Sequence, residues 1–506
     1  MSADPGGAPV DGPRIEEPSH FIGLAKQTIV YGLSGVALQA IGVITLPIFG
    51  HVFSRSEYGV LELAITVSSV AVTLVDAGFA SAAQRSFYDY REEELEERRR
   101  VIFTALAFTT SISVPIALGL ALASRPASDW LLGGHGRGVL IAVAVSLPLV
   151  NAANFLRETM RLRFRAWHYV ASSVLAAAVT AGAAITLVVA FDTGVEGYFL
   201  GVIAGNALAA LYGLTVVRRD VGKHVSRYEL RKMLVYGLPL VPAALAMWAL
   251  VLVDRILLSK LGSLADVGQY AVANRIANVL LLAVTGFALA FGPFVFSIHS
   301  EDSQLEREVR GKVLTYLAVC LCAAALILTL FAREAISVMA PAFNSAYEAV
   351  GLLTLSIVAF GFSTVLIAGI SIVRRTKVLA ALAIVAAMVN IGLNLALIPP
   401  FGMVGAAEAT AASFVLLAAL HYRVAQHYYS TPYELGKVLT VVALASAAGI
   451  LGLLPLSPPS LIIPLKVIAL AAFLLLLRVT GVVDPVELAR LRALIGGMMR
   501  VRAAES

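Results

Sequence analysis

Charged side chains are scarce in this chain, and a few of them stand inside long apolar runs. The stretch 236–291, YGLPLVPAALAMWALVLVDRILLSKLGSLADVGQYAVANRIANVLLLAVTGFALAF, reads as two apolar helices joined by a short polar turn. Asp254, Arg255 and Lys260 fall at that turn, and Arg275 falls well inside the second helix. A guanidinium without a counter-charge is costly in hydrocarbon, so an intramembrane Arg faces a partner or a wet cavity. Three roles are open to Arg275. It can pair locally, it can snorkel toward an interface, or it can meet an anionic substrate such as a diphosphate, for which a guanidinium is the better-suited cation. Asn274 and Asn278 flank it and offer either further donors or ties between helices.

A second cluster lies earlier in the chain. Glu62, Thr66, Ser69, Thr73 and Asp76 follow one another at steps of four, three, four and three, which sets them along one helical face. Two acids in one transmembrane helix are expected to look onto a space between helices rather than onto lipid. The alternative is polar glue between packed helices. At matching depth Arg275 stands opposite about residue 67, so a Glu62–Arg275 pair is a further expectation. Asn390, Asn394, Glu408 and His421 are buried polar residues with no role assigned beyond packing.

Prolines recur inside the apolar runs, at Pro47, Pro115, Pro148, Pro239, Pro242 and Pro293. Each removes a backbone hydrogen bond and favours a kink. Gly237-Leu238-Pro239 with Pro242 is the hinge candidate, set against a static kink. Catalytic signatures are missing from the sequence. It has no GxxxxGK[ST] loop, no HExxH, no Gly-x-Ser-x-Gly, and no large loop to hold a transferase site, so an enzyme is not expected. The charge-dense EEELEERRR segment reads as a solvated helical loop.

The elements that must position these residues follow from composition. Of 506 residues 59% are hydrophobic and only 14% charged, and mean hydropathy is +0.86. Apolar runs of about 20 residues, each long enough to cross a hydrocarbon core of about 30 Å, recur along nearly the whole chain. The expectation is an all-α polytopic membrane protein with about fourteen spans. Its net charge of +6 sits in short loops, which argues for orientation and against nucleic acid. Loops on one side, among them the one with Arg157, Arg161, Arg163 and Arg165, are rich in Arg and Lys and those opposite are poor, placing both termini in the cytoplasm. The opening 1–20, rich in Pro, Gly and acid, lacks the pattern of a signal peptide and is expected to be a disordered tail. Cys320 and Cys322 lie two apart on a helix and so point to different faces, which excludes a local disulfide. No metal site is expected.

The chain also repeats itself. Tyr31-Gly32-Leu33 recurs as Tyr236-Gly237-Leu238, Gly78-Phe79-Ala80 as Gly286-Phe287-Ala288, and Gly194-Val195-Glu196-Gly197 as Gly402-Met403-Val404-Gly405. Six spans per repeat is an even number, so the two lobes are parallel repeats related by an axis along the membrane normal. The expected divisions are an N-lobe over 21–217, a linker over 218–231, and a C-lobe over 232–430. Two further helices occupy 431–482, and a cytoplasmic tail 483–506.

These motifs resemble those of the Wzx-type oligosaccharide flippases. The resemblance rests on Tyr31-Gly32, Leu46-Pro47-Ile48, Phe53-Ser54-Arg55-Ser56-Glu57-Tyr58-Gly59, Ala77-Gly78-Phe79-Ala80, Gly237 to Pro242, Asp254-Arg255, Val267-Gly268-Gln269-Tyr270 and Asn274-Arg275-Ile276. It implies membership of the multidrug/oligosaccharidyl-lipid/polysaccharide exporter superfamily, with a MATE-like pair of six-helix lobes. It also implies movement of undecaprenyl-diphosphate-linked oligosaccharide between the leaflets of a bacterial plasma membrane by alternating access, alongside other polysaccharide assembly proteins and without a cofactor. The first, second, seventh and eighth helices then line a cationic cavity, which assigns Arg55, Arg255, Arg275, Asn274 and Asn278 to the substrate. Glu62 and Asp76 are assigned to coupling with a proton or sodium gradient. The alternatives within the superfamily are an ion-coupled multidrug extruder and a peptidoglycan-precursor flippase.

Overall fold

The computed structural model describes residues 35, 41–42, 44–76, 78–91, 93–134, 136–301, 303–373, 375–452 and 459–482. The expected terminal tails and most of the first expected span lie outside these residues. Among the described residues every regular element is a helix. After a helical stretch at 44–52, the first bundle is built from α1 (Arg55–Asp76), α2 (Phe79–Tyr88), α3 (Leu95–Leu122), short α4 (Ser124–Leu131), α5 (Arg137–Leu162), α6 (Ala166–Ile185) and α7 (Gly194–Val217). Then α8 (Arg227–Gly237) and a 3-10 turn at Leu238–Leu240 lead into the second bundle. That bundle holds α9 (Val241–Leu261), α10 (Leu264–Ala277), α11 (Val279–Glu301), α12 (Ser303–Leu330), short α13 (Ala332–Met339), α14 (Tyr347–Ile372) and α15 (Thr376–Tyr428). Helices α16 (Leu435–Gly449) and α17 (Pro459–Val479) pack outside it, against α12.

Among the described residues eleven helical segments are long and apolar enough to cross a membrane, or twelve if the bent pair α10 and α11 is one span. That is fewer than the fourteen expected. The first expected span is largely outside the described residues, and α15 is 53 residues with a break at Gly402. At 1.5 Å per residue it measures about 80 Å, enough for two crossings of about 30 Å. The structure carries the expected repeat at this break: Gly194 and Gly402 both have positive φ, +59° and +54°. Three residues on, a Cβ on Gly197 would stand 2.0 Å from Thr193 Oγ1, and one on Gly405 would stand 2.1 Å from Leu397 O. Each lobe therefore reuses one left-handed turn and one glycine contact to start its last helix.

The expected turn at 254–260 is not where the chain turns. Helix α9 runs on to Leu261, and the turn is Gly262-Ser263. Ser263 and Asp266 cap α10 reciprocally, side chain to backbone in both directions, which fixes the helix start. Asp254 and Arg255 thus lie about two turns inside α9. Cys320 is exposed and Cys322 buried, as their spacing requires.

The two lobes meet differently at their two ends. At the end carrying the Arg55 and Gly262 turns, α1 and α10 cross in close backbone contact. A Cβ on Gly59 would lie 2.0 Å from Leu264 O, and one on Gly268 2.0 Å from Arg55 O. Arg55 Nε donates to Ala342 O, and the Tyr58 ring meets Phe343 edge-on at 5.2 Å. At the opposite end, which carries the basic loops, α8 is pinned to the first bundle. Lys232 pairs with Asp89 at 2.9 Å, the Tyr90 hydroxyl donates to Glu229 at 2.6 Å, and Ser226 N donates to Thr104 Oγ1 at 2.9 Å. The chain then crosses to the second bundle through residues 238–240, beside Gly78 (φ +74°), whose Cβ would meet Gly237 O at 2.9 Å.

Substituting Gly268→Val should force α1 and α10 apart, because the new atoms have only backbone to displace. The expected loss is about 1–3 kcal/mol, read as a lowered midpoint of thermal unfolding in detergent. Gly286→Ala, which has open space around it, should leave that midpoint unchanged.

Candidate functional site

Helices α1, α9 and α10 converge between the lobes and bring four charged residues together. Glu62 is seven residues into α1 and Arg275 eleven into α10, so both sit roughly 10–16 Å below the Arg55 end at 1.5 Å per residue. That is the interior of a bilayer. Arg255 Nε donates to Glu62 Oε1 at 2.9 Å, joining the lobes. Its Nη1 donates to Asp254 Oδ1 at 2.9 Å and to Val251 O at 2.8 Å. Asp254 also accepts from Tyr270 OH at 2.5 Å and from Thr410 Oγ1 at 3.3 Å. Asp254 and Arg255 are 1% and 2% exposed, so this network has left both water and lipid. Satisfying nearly every donor and acceptor is what makes such burial tolerable.

Arg275 is the exception. It is half-buried, its guanidinium lies 5.3 Å from the centroid of the Tyr58 ring, and Glu62, Tyr198 and Arg255 are within electrostatic reach. Among the described residues it has no hydrogen-bond or ion-pair partner. The expected Glu62–Arg275 pair is therefore corrected: Glu62 is taken by Arg255, which sits inside a helix and not in a loop. A cation–π contact recovers part of the cost of placing a cation here, but it leaves five N–H donors uncommitted. The helix bends by 45° between α10 and α11 just beyond this residue, with Asn278 N bonded to Asn274 O at 2.8 Å. Asn274 and Asn278 are half-buried, and their side-chain amides have no partner among the described residues.

The other expected site residues separate from this centre. Arg55 lies exposed at the sealed end, bonded to the backbone of the second lobe. The α1 stripe does not face one space. Its Glu62 end meets Arg255, Thr66 and Thr73 bond back to the carbonyls of Glu62 and Ser69, and Asp76 turns into the first lobe. There it accepts from Ala80 N at 3.2 Å and lines a cavity of about 370 Å³ with Asn151, Asn154 and Glu158 of α5. Sequence reasoning missed these α5 residues. The signal was present, since Asn151, Asn154, Glu158 and Arg161 recur at steps of three, four and three, but Arg157 to Arg165 read as a loop. Gly237, Pro239 and Pro242 sit at the junction between α8 and α9. In the second lobe Asn390 and Asn394 bond each other, and Glu408 lines a cavity of about 350 Å³ with Glu348. Among the described residues no group of three His, Cys, Asp or Glu side chains is placed to hold a metal.

Two parallel helical lobes around a charged interior define the class: a multipass membrane protein with the fold shared by flippases and multidrug exporters. The structure superposes on the lipid II flippase MurJ in an inward closed conformation with a TM-score of 0.70, at 12% identity, over 89% of this chain and 99% of that one. A Vibrio cholerae MATE transporter, VcmN, superposes with a TM-score of 0.55 at 14% identity, over 81% and 97%. Residues 24–299, more than half of the sequence, match the polysaccharide biosynthesis protein family, and the chain belongs to it. The succinoglycan biosynthesis transport protein ExoT of Rhizobium meliloti is 24% identical over 282 residues, 53% of each chain. Lsg locus putative protein 1 of Haemophilus influenzae is 21% identical over 277 residues, 54% of this chain and 65% of that one. The chain thus matches less than two thirds of the length of each of these two sequence relatives.

Glu62→Ala should strand Arg255 with one carboxylate in place of two. Breaking a buried pair costs about 3–5 kcal/mol, and the remaining Asp254 places the expected loss near the lower bound. Unfolding of Glu62→Ala, Arg255→Met and the double variant in a mutant cycle should give a coupling above about 1 kcal/mol. Additive losses would mean the two residues do not share the bond.

Proposed function

We propose that this protein is a flippase that moves undecaprenyl-diphosphate-linked oligosaccharide from the cytoplasmic to the outer leaflet of a bacterial plasma membrane. The observation that carries the reading is Arg275, a guanidinium at mid-membrane depth between the lobes without an acceptor among the described residues. A diphosphate brings oxygens that pair bidentately with such a group, and among the described residues at this depth no other offers uncommitted cationic donors. Asn274 and Asn278 stand beside it with amides that have no partner among the described residues. The Glu62–Asp254–Arg255 network holds α1, α9 and α10 in place but is itself spent, so it positions the cavity without binding the phosphates.

Both termini are proposed to be cytoplasmic, with the basic loops facing the cytoplasm. Closure at the Arg55 end then leaves loading to the cytoplasmic side. Alternating access would separate Gly59 from Gly268 while the lobes pivot at Gly237, Pro239 and Pro242, the segment that links α8 on one lobe to α9 on the other. Asp76, an acid in a polar cavity, is the one observation that favours a second reading as an ion-coupled multidrug extruder.

The test is transport of fluorescent undecaprenyl-diphosphate-oligosaccharide in proteoliposomes. Arg275→Ala should slow flipping by about ten- to a hundredfold, the equivalent of losing charge-assisted hydrogen bonds. Arg275→Lys should recover only part of it, because a point charge does not reproduce the planar fork. Full activity in both variants, or sodium- or proton-driven movement of organic cations in place of lipid, would transfer the assignment to the extruder.

A further inference from the structure

The cavity in the first lobe is a second polar centre, and nothing in the diphosphate reading uses it. Its walls come from the end of α1 with Thr73 and Asp76, from α3 with Thr109, and from α5 with Asn151, Phe155 and Glu158. Its volume of about 370 Å³ falls within the roughly 300–1,000 Å³ of small-molecule sites. Asn151 is 5% exposed, and its amide Nδ2 is buried with no hydrogen-bond partner. An orphaned donor of this kind costs about 1–3 kcal/mol unless something fills the space. Thr73 and Thr109 each spend their hydroxyl proton on their own helix and keep acceptor lone pairs free.

The balance of charge decides among ligands. Glu158 pairs with Arg161 at 2.6 Å, and Asn154 accepts from Arg157, so two guanidinium groups stand against the two acids. A metal cation needs an excess of negative oxygen, which is lacking. An apolar organic cation needs hydrophobic walls, and Phe155 with Val72 and Ala80 supplies only part of the lining. A polyhydroxylated ring wants donors and acceptors mixed at close quarters with one apolar face, and this is what the cavity offers.

The repeat supplies an independent argument. At the 208-residue offset of Gly78 and Gly286, the positions matching Asp76, Asn151, Asn154, Glu158 and Arg161 are Val284, Ala359, Phe362, Leu366 and Gly369. The second lobe folds with apolar residues at every one of them, so the polar set is not required by the architecture.

We infer that this cavity is a glycan subsite, in which Asp76, Asn151, Asn154 and Glu158 bind sugar hydroxyls of the lipid-linked oligosaccharide and select which glycan is carried. The inference rests on the flippase reading for its physiological ligand. Asp76 is twenty-one residues into α1 and Arg275 eleven into α10, a difference in depth of roughly 15 Å at 1.5 Å per residue. A diphosphate at Arg275 and a sugar in this cavity are thus bridged by an oligosaccharide and not by a single sugar.

Two measurements separate the two claims. The first is binding, by equilibrium dialysis against full-length protein in detergent, of the free oligosaccharide released by mild acid from the host's own lipid-linked precursor. Asn151→Ala and Glu158→Gln should each weaken it about tenfold, the cost of one net hydrogen bond, while Arg275→Ala leaves it unchanged. The second is flipping in proteoliposomes of undecaprenyl diphosphate carrying either that oligosaccharide or one sugar. Both cavity variants should slow the first lipid and spare the second, whereas Arg275→Ala slows both. Thr109→Val, which removes one acceptor from the wall, serves if Asn151→Ala fails to fold. Equal slowing of both lipids, unchanged glycan binding, or a shift only in sodium or pH dependence would overturn the subsite. A wild type that flips neither lipid yet binds free glycan through Asn151 would strike down the transport reading and leave the subsite standing.

Discussion

Hydrocarbon does not solvate charge, and the interior of this protein is arranged around that constraint. Arg255 is the clearest response. It is embedded in one lobe, bonded to a neighbouring acid on its own helix and to Glu62 of the other lobe, so its charge is met by two carboxylates. Tyr270 and Thr410 complete Asp254, which ties α9 to α10 and to the far half of α15. An inter-lobe bond of this kind fixes the depth and rotation of α1 against α9. Arg275 stands out against that background: on the next helix, beside a charge that is paired, is a guanidinium with no ion-pair or hydrogen-bond partner among the described residues.

Close approach of the helices is a separate matter, set by small residues. Gly59 and Gly268 let α1 and α10 touch backbone to backbone at one end, and at the other Gly78 lies against Gly237, the end of α8, on the first lobe's side. Without a hydrophobic force between helices in lipid, such contacts are held by packing alone. They part at lower cost than a buried ion pair. The two lobes are therefore joined firmly through Arg255 at mid-depth and more lightly by the α1–α10 crossing at the Arg55 end.

Much of this was legible in the sequence. Apolar run length gave the helical membrane class, the glycines at 194 and 402 gave the repeat, and the isolation of Arg275 marked it before any coordinates. Two misreadings share one physical cause. Asp254-Arg255 was taken for a turn, and Arg157 to Arg165 for a loop that in fact begins only after α5 ends at Leu162. Hydropathy treats every charge as the edge of a span, yet a charge that finds a partner within a few residues stays inside the helix. Gly262-Ser263 with Asp266 carried the true turn signal, because a capping box names the helix start whatever the hydropathy does.

The repeat also shows which features are architecture and which are acquired. Both lobes keep the positive-φ glycine and the tight glycine three residues later, so these belong to the fold. The partners of Arg255 come from different repeats and have no symmetric copy: Glu62 matches Tyr270, and Asp254 matches Leu46 at the same offset. Where α1 of the first lobe runs as one helix to Asp76, the second lobe bends at Asn278, eight residues before Gly286, the equivalent of Gly78. That shift places the bend beside Arg275 and leaves the first lobe to keep its polar cavity near the basic end. Two copies of one scaffold have thus separated their polar chemistry by depth, the arrangement called for by the proposed substrate, which is charged at one end and neutral at the other.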